Sequence, residues 1–171
     1  MAENAEKTEC GRLSEEAEMD KRSVNIYIAT SITGPRRGRG AYMYLLECFR
    51  SNGETVTRQQ AMELEGTTEN ELAVSALEAA LGRLTTECYL TIYTDCEYIF
   101  RTIDTGLLKR WEQQEWKNAK GEPVKYVEKW SHIQYLLNAQ DFHLKLKEHH
   151  GYKRWMADEI KKQIGKMRCR N

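Results

Sequence analysis

The chain has 171 residues, which is enough for one ordinary domain and too few for two. Hydrophobic residues make up 40% and charged residues 30%, a composition that excludes a disordered or fibrous protein. The 26 basic residues balance the 26 acidic ones, so the chain lacks the overall positive charge of many nucleic-acid-binding proteins. No stretch approaches the roughly 20 apolar residues of a membrane-spanning helix, and we expect no membrane contact.

The cysteines and the first 22 residues bear on the compartment. The five cysteines are odd in number and no two are spaced C-x-x-C, which favours free thiols in a reducing compartment. Residues 1–22 hold seven acidic and four basic side chains and no apolar run of the kind found in a signal peptide. We therefore expect a cytoplasmic protein in which residues 1–22 form a disordered acidic tail and residues 23–171 form the domain.

The hydrophobic pattern after this tail predicts three strands and then alternating helices and strands. Val24, Ile26 and Ile28 recur at every second position, which is typical of a strand, whereas Ala73 and Leu77 recur at helical spacing. The predicted strands cover 24–28, 41–49, 55–64, 89–95 and 142–146, and the predicted helices cover 69–84, 96–103, 107–116, 127–137 and 152–166. This order predicts an α/β domain with a five-stranded mixed sheet and helices on both faces.

A carboxylate is predicted at the carboxyl edge of this sheet. The run from Tyr89 to Asp95 is the most strand-like of the chain, and a helix is predicted to follow at Cys96. Open α/β sheets bind ligands at the edge where parallel strands end, so Asp95 is a candidate functional residue. The alternative is that Asp95 only caps the following helix.

The segment from Thr94 to Ile99 resembles the T-D-S-x-Y-V motif of the type 1 ribonuclease H family. Further matches occur at the family's spacing: Thr67-Thr68-x-Asn70 for its T-T-N-N, Trp111, Trp116-Lys117-Asn118, Pro123-Val124-Lys125 and Trp130 for its W…GWK…PVKN…W, and Lys147-Glu148-His149 for its K-G-H. The resemblance covers residues 23–165. It implies the ribonuclease H-like fold and the hydrolysis of the RNA strand of RNA–DNA hybrids.

The family's metal-binding acids are only partly matched. The resemblance implies four carboxylates that hold two Mg²⁺ or Mn²⁺ ions. Asp95 matches the third acid, but Ala29 and Ala73 stand where the family has its first-strand Asp and its first-helix Glu. Asp158 matches the fourth if the preceding loop is one residue shorter, and Glu159 is the alternative for that acid.

Two further residues are candidates for the chemistry. Glu71 is a possible substitute for the acid missing at Ala73, although two residues correspond to about 200° around a helix. His149, next to His150, matches a mobile His that assists proton transfer or product release in the family. The predicted metal ligands are therefore Asp95, Asp158 and Glu71, and the predicted catalytic residues are Asp95, Asp158 and His149.

Nucleic-acid contacts are better matched than the acids. The polar residues that hold a DNA phosphate in the family are matched by Thr68, Asn70 and Asn118, and its hybrid-contacting aromatic residues by Trp111 and Trp116. Ordinary core packing is the alternative role of both tryptophans. The family's basic segment between them is replaced by residues 112–115, which contain two glutamates and should weaken phosphate binding. Basic residues at 36–39 or 153–154 are candidates to compensate.

The sequence is compatible with three functions. The first is a divergent, monomeric ribonuclease H-like domain that recognises RNA–DNA hybrid or a related duplex, with weak or lost cleavage and no cofactor. The second is an active ribonuclease H that uses Mg²⁺ or Mn²⁺ with a displaced Glu71. The third is a non-catalytic protein-interaction domain. We favour the first, because two of the four acids are missing and the phosphate-binding residues are kept.

Overall fold

A computed structural model describes residues 21–169. Within that range the chain forms five strands and five helices. In chain order they are β1 (Arg22–Thr30), β2 (Arg37–Phe49), β3 (Thr55–Thr68), α1 (Glu69–Leu81), β4 (Cys88–Thr94), α2 (Glu97–Asp104), α3 (Leu107–Gln113), α4 (Val127–Leu137), β5 (Asp141–Leu146) and α5 (Lys153–Arg168). The predicted tail lies outside the described residues up to residue 20, and β1 begins two residues before Val24 because Arg22 already pairs with Cys88.

The five strands form one mixed sheet in the order β3-β2-β1-β4-β5. β2 runs antiparallel to both β1 and β3, whereas β1, β4 and β5 are parallel to one another. The carboxyl ends of these three parallel strands therefore meet at one edge. This arrangement confirms the predicted five-stranded mixed sheet.

Helices cover both faces of the sheet, as predicted. Alternation along β1 sends Ile26 and Ile28 into the larger core, on the face of α1 and α4, and sends Tyr27 to the other face. Helix α5 covers that second face with Met156 and Ile160, both almost fully buried. The two cores fix α1 and α5 on opposite sides of the edge where β1 and β4 end.

The close packing of the loop after β1 depends on Gly40 in β2. A side-chain carbon at this position would lie 2.7 Å from Ile32 Cδ1 and 2.9 Å from Leu72 Cδ1. A side chain at this position would therefore force Ile32 and Leu72 to shift, and glycine lets the 31–36 loop pack against the start of α1 as it does. The loop and the first turn of α1 thereby reach the same edge of the sheet as Asp95.

The third helix ends earlier than predicted. α3 stops at Gln113, whereas the pattern had favoured a helix to Trp116. Glu115 and Trp116 have φ values of 54° and 61°, in the left-handed region, and the Trp116 amide donates to the carbonyl of Trp111 at 2.7 Å.

Among the described residues, no helix is long and apolar enough to cross a membrane.

Candidate functional site

A cleft of about 140 Å³ lies at the edge where β1 and β4 end. Asp95 follows the last residue of β4 and is about half exposed in this cleft. Ala29 of β1 and Ala73 of α1 line it as well, so the positions matched to the family's first two acids do lie beside Asp95. The fourth side is formed by Ala157 of α5. Three of the four sides thus present a methyl group, and two of these methyl groups lie at positions where the family has a carboxylate.

Two of the predicted metal ligands face away from this cleft. Asp158 is exposed and lies one position beyond Ala157, which is a rotation of about 100° around α5. Glu71 accepts a hydrogen bond from Thr67 Oγ1 at 3.0 Å, on the side of α1 that faces β3. The alternative acid, Glu159, accepts a hydrogen bond from Lys162. The structure therefore does not assemble Asp95, Asp158 and Glu71 as a ligand set.

An ammonium group lies against the one matched acid. Lys153 Nζ lies 3.1 Å from Asp95 Oδ1 and 3.0 Å from Asp95 Oδ2, so it contacts both carboxylate oxygens. Lys153 is one helical turn before Ala157, and both residues line the cleft. The lysine supplies a positive charge where the family resemblance implies a metal ion.

The other acids at the cleft are also engaged. Glu69 is one turn before Ala73 on α1, and its Oε2 accepts a hydrogen bond from the backbone amide of Gly34 at 2.8 Å. Glu97, at the start of α2, accepts a hydrogen bond from Lys147 at 2.7 Å, which lowers the pKa of Glu97 and raises the pKa of Lys147. Glu69 and the ion pair of Lys147 were not predicted from the sequence, and Lys153 was predicted only as a possible phosphate contact. The spacing of four residues from Ala73 back to Glu69 was the available signal.

These donors do not fit a two-metal centre. Mg²⁺ requires several oxygen ligands in near-octahedral geometry, and the methyl groups of Ala29, Ala73 and Ala157 supply none. Asp95 and Glu69 are already paired with an ammonium and a backbone amide. Across residues 21–169, no three His, Cys, Asp or Glu side chains are grouped closely enough to hold a metal ion.

The predicted phosphate-binding residues lie around the start of α1 and the loop after α3. Thr68 caps α1: its Oγ1 accepts from the amide of Glu71 at 3.3 Å and lies 3.3 Å from the hydroxyl of Tyr126. Asn70 lines a wider cleft of about 570 Å³ together with Asp95, and its Oδ1 accepts from Cys96 Sγ at 3.5 Å. Thr68 and Asn70 therefore lie beside the candidate site.

Asn118 organises the loop that carries it. Its Oδ1 accepts hydrogen bonds from the backbone amides of Lys120 at 2.9 Å and Glu122 at 3.0 Å. Its side-chain NH₂ group donates no hydrogen bond within residues 21–169, and the residue is exposed. The loop is thus fixed by the oxygen of the amide, while the nitrogen is available to a phosphate.

Both predicted aromatic contacts are half-buried. Trp111 packs edge-to-face on the fully buried Trp130, with ring centroids 6.3 Å apart. Trp116 packs on the same core from the left-handed turn after α3. Each ring therefore contributes to the core and still presents part of its surface.

The two adjacent histidines have different surroundings. His149 is exposed and forms no hydrogen bond or ion pair in the described part of the chain. His150 packs against the rings of Tyr27 and Tyr93, with centroids 4.5 and 5.6 Å away, and its Nδ1 is buried without a partner. Burial lowers the pKa of His150, and the nearby Lys153 adds to this effect. The mobile role of His149 stays a prediction.

Three of the predicted compensating basic residues are also engaged. Arg37 donates to the carbonyl of Gly66 at 2.7 Å, and Arg39 is paired with Glu63. Lys153 is paired with Asp95, as described above. The arginines of the basic turn after β1 therefore also join β2 to β3.

Comparison with known sequences identifies relatives. The RNase H family model matches residues 21–165. The chain is 30% identical to the ribonuclease H of Lachnoclostridium phytofermentans over 118 residues, which are 69% of this chain and 75% of that protein. It is 33% identical to the ribonuclease H of Chlorobium phaeobacteroides over 131 residues, which are 75% of this chain and 85% of that protein.

Comparison with solved structures also finds ribonuclease H domains. LC9-RNase H1, a type 1 RNase H with the type 2 active-site motif, gives a TM-score of 0.65 at 21% identity, over 84% of this chain and 70% of that one. The RNase H domain of the foamy virus PFV gives 0.61 at 19% identity, over 85% and 96%. At such identities the likeness shows the fold alone. With the family match over residues 21–165, it follows that the chain belongs to the RNase H family.

Proposed function

We propose that this RNase H domain binds RNA–DNA hybrid, or a related A-form duplex, and cleaves the RNA strand weakly or not at all. The observation that carries the proposal is the contact of Lys153 with both carboxylate oxygens of Asp95. The surrounding alanines add no second acid to that contact. The cleft therefore lacks the set of carboxylates that would hold two metal ions.

The loss of cleavage follows from charge and ligand number. In two-metal hydrolysis the ions activate water and stabilise the leaving oxygen. A cation approaching Asp95 would have to displace the ammonium of Lys153 and would find no second carboxylate on Ala29, Ala73 or Ala157. A lysine ammonium carries a single positive charge and only donates hydrogen bonds, so it cannot take over the roles of two divalent ions.

Hybrid binding is supported by a separate set of residues. Phosphate groups accept hydrogen bonds, and Thr68 and Asn118 present a hydroxyl and a free NH₂ group. The half-buried Trp111 and Trp116 are held rigidly by the core, and rigid aromatic surface is suited to a sugar–phosphate groove. A-form duplexes are recognised largely by shape, so binding does not require the missing acids.

A titration of labelled RNA–DNA hybrid, scored for binding by anisotropy and for cleavage on gels, tests the proposal with Mg²⁺ and then with Mn²⁺. We expect saturable binding, salt-dependent affinity and no cleavage with either ion. Trp116→Ala should weaken binding, whereas Tyr135→Ala, at a residue that is 75% exposed on α4, should not. Robust cleavage that Asp95→Asn abolishes would show an active ribonuclease H. The absence of both binding and cleavage would favour a protein-interaction domain.

A further inference from the structure

The edge of the sheet opposite the candidate site carries two adjoining clefts. This is the edge where β1 and β4 begin. One cleft, of about 490 Å³, is lined by Arg22, Phe49 and Arg50. The other, of about 400 Å³, is lined by Arg22, Arg58 and Arg83. Because Arg22 lines both, they form one continuous surface.

Three guanidinium groups on this surface have no acidic partner. Arg22, Arg58 and Arg83 form no ion pair in the part of the chain that the structure describes, and no lining residue of either cleft is acidic. Two other cations of the first cleft differ: Arg50 pairs with Glu54 at 3.5 Å, and Lys21 pairs with Asp141 at 2.8 Å and Glu87 at 3.6 Å. The chain as a whole has zero formal charge. The positive charge here is therefore a local concentration.

An exposed aromatic ring lies in the same place. Phe49, at the end of β2, is 41% exposed and lines the first cleft beside Arg22 and Arg50. Hydroxyl and amide side chains surround the arginines: Ser23, Ser51, Asn52, Thr85 and Thr86. Grooves that bind single-stranded nucleic acids combine these features, because arginine pairs with phosphate while an aromatic ring stacks on an unpaired base.

We propose that this surface, defined by Arg22, Phe49, Arg58 and Arg83 and called the arginine edge, binds a nucleic-acid single strand. Stacking of a base on the Phe49 ring requires a base that is not already paired and stacked within a duplex. The cleft volumes lie in the range of roughly 300–1,000 Å³ that small ligands and their fragments occupy, so each accepts about one nucleotide unit. This site is separate from the proposed hybrid site, which lies at the other end of β1.

The test is an anisotropy titration of labelled oligothymidylate, which forms no duplex. We expect Arg58→Ala with Arg83→Ala to weaken binding at least about tenfold and to reduce the slope of log affinity against log salt by about 1.4, which is about 0.7 for each lost phosphate contact. A matched control, Lys161→Ala with Lys166→Ala, removes two exposed positive charges from α5 and should change little.

The aromatic part of the proposal has its own pair of variants. Phe49→Ala should weaken binding about fivefold or more, the lower limit for the loss of one base stacked on an aromatic ring. Phe142→Ala, at a ring that is 38% exposed on β5, should leave the affinity unchanged. Thermal melting of every variant confirms that it is folded, so a loss of binding reports the surface itself.

Several results would overturn the arginine edge. One is an equal effect of the arginine and lysine double variants. Another is displacement of oligothymidylate by low ATP concentrations, which would indicate a small phosphorylated ligand. Displacement by hybrid would place both ligands in one site. Trp116→Ala should weaken hybrid binding and leave oligothymidylate binding intact, so failure of the hybrid proposal and failure of this one are distinguishable.

Discussion

Lys153 and Ala157 lie one turn apart on α5, and together they close the cleft that contains Asp95. The opposite wall repeats this spacing, because Glu69 and Ala73 lie one turn apart on α1. On each helix a methyl group lines the cleft together with a charged residue one turn earlier. Apart from Asp95, the charges of this cleft are therefore those of Glu69 and Lys153, which lie outside the matched catalytic positions.

Restoring the missing acids and removing the lysine should create cleavage. We expect the combination of Ala29→Asp, Ala73→Glu and Lys153→Ala to hydrolyse the RNA strand of a hybrid with Mg²⁺, because three carboxylates would then face one another without an ammonium. The same variant should melt at a lower temperature in EDTA than in Mg²⁺, since neighbouring carboxylates repel one another. Gel assays and melting curves check both results.

The control for this gain of function carries uncharged side chains of the same shape. Ala29→Asn and Ala73→Gln with Lys153→Ala should remain inactive, as should Lys153→Ala alone. Cleavage by Lys153→Ala alone would show that Asp95 suffices, and it would contradict the requirement for further acids.

Tyr98→Phe should destabilise the domain. The hydroxyl of Tyr98 accepts a hydrogen bond from Trp130 Nε1 at 3.0 Å, and Trp130 is fully buried. Removing the hydroxyl leaves a buried donor without a partner, at a cost of about 1–3 kcal/mol. Urea unfolding measures the change. Tyr135→Phe, the same substitution at an exposed ring, should alter the free energy of unfolding by less than about 0.5 kcal/mol.

Two substitutions at Asn118 should separate folding from binding. Asn118→Asp keeps an oxygen for the amides of Lys120 and Glu122, but it loses the free NH₂ and adds a negative charge. We expect near-normal stability and at least about tenfold weaker hybrid binding, because a carboxylate repels phosphate. Asn118→Ala should in addition lose up to about 1 kcal/mol of stability. If Asn118→Asp binds hybrid normally, this residue does not contact phosphate.

The stability of the domain should depend on pH through His150. Its pKa is lowered in the folded state, chiefly by burial against Tyr27 and Tyr93, so the unfolded chain takes up its proton first as pH falls. The contribution of His150 to the free energy of unfolding is fully present above the unfolded pKa of about 6.5. As pH falls below that value, the contribution decreases until the lowered folded pKa is reached. Below that value it no longer changes with pH.

Urea unfolding between pH 8 and 5 and an NMR titration of the imidazole measure this dependence. His150→Gln should flatten the curve around pH 6, whereas His149→Gln removes an exposed histidine from the same loop and should preserve it. An identical slope in both variants would exclude His150 as the source.

Much of the architecture could be predicted because it follows from local patterns. Alternation along β1 predicted which of its side chains enter the core, and the T-T pair predicted the start of α1, where Thr68 does cap the helix. The early end of α3 could not be predicted, because residues 114–116 are compatible with a helix and the tertiary contacts of Trp116 select the left-handed turn.

The acids show a different limit. Asp95 was identified from a strand that runs directly into a helix, which is a local pattern. The choice between Asp158 and Glu159 for the fourth acid depended on the length of the loop before α5, and a shift of one residue turns a side chain by about 100°. The contact of Lys153 with Asp95 joins residues 58 positions apart, and it depends on how Met156 and Ile160 dock α5 on the sheet.

The positive charge beside Asp95 is covalently part of the chain, and this affects how the cleft responds to the cell. A site that binds Mg²⁺ exchanges its ion with solution, so its occupancy follows the free ion concentration. A tethered ammonium has an effective concentration set by geometry alone, on the order of millimolar or above for short tethers. Folding of the chain therefore places the counter-ion of Asp95, and no ion has to be taken from solution. We expect fluctuations of cellular magnesium to leave the electrostatic state of this cleft unchanged.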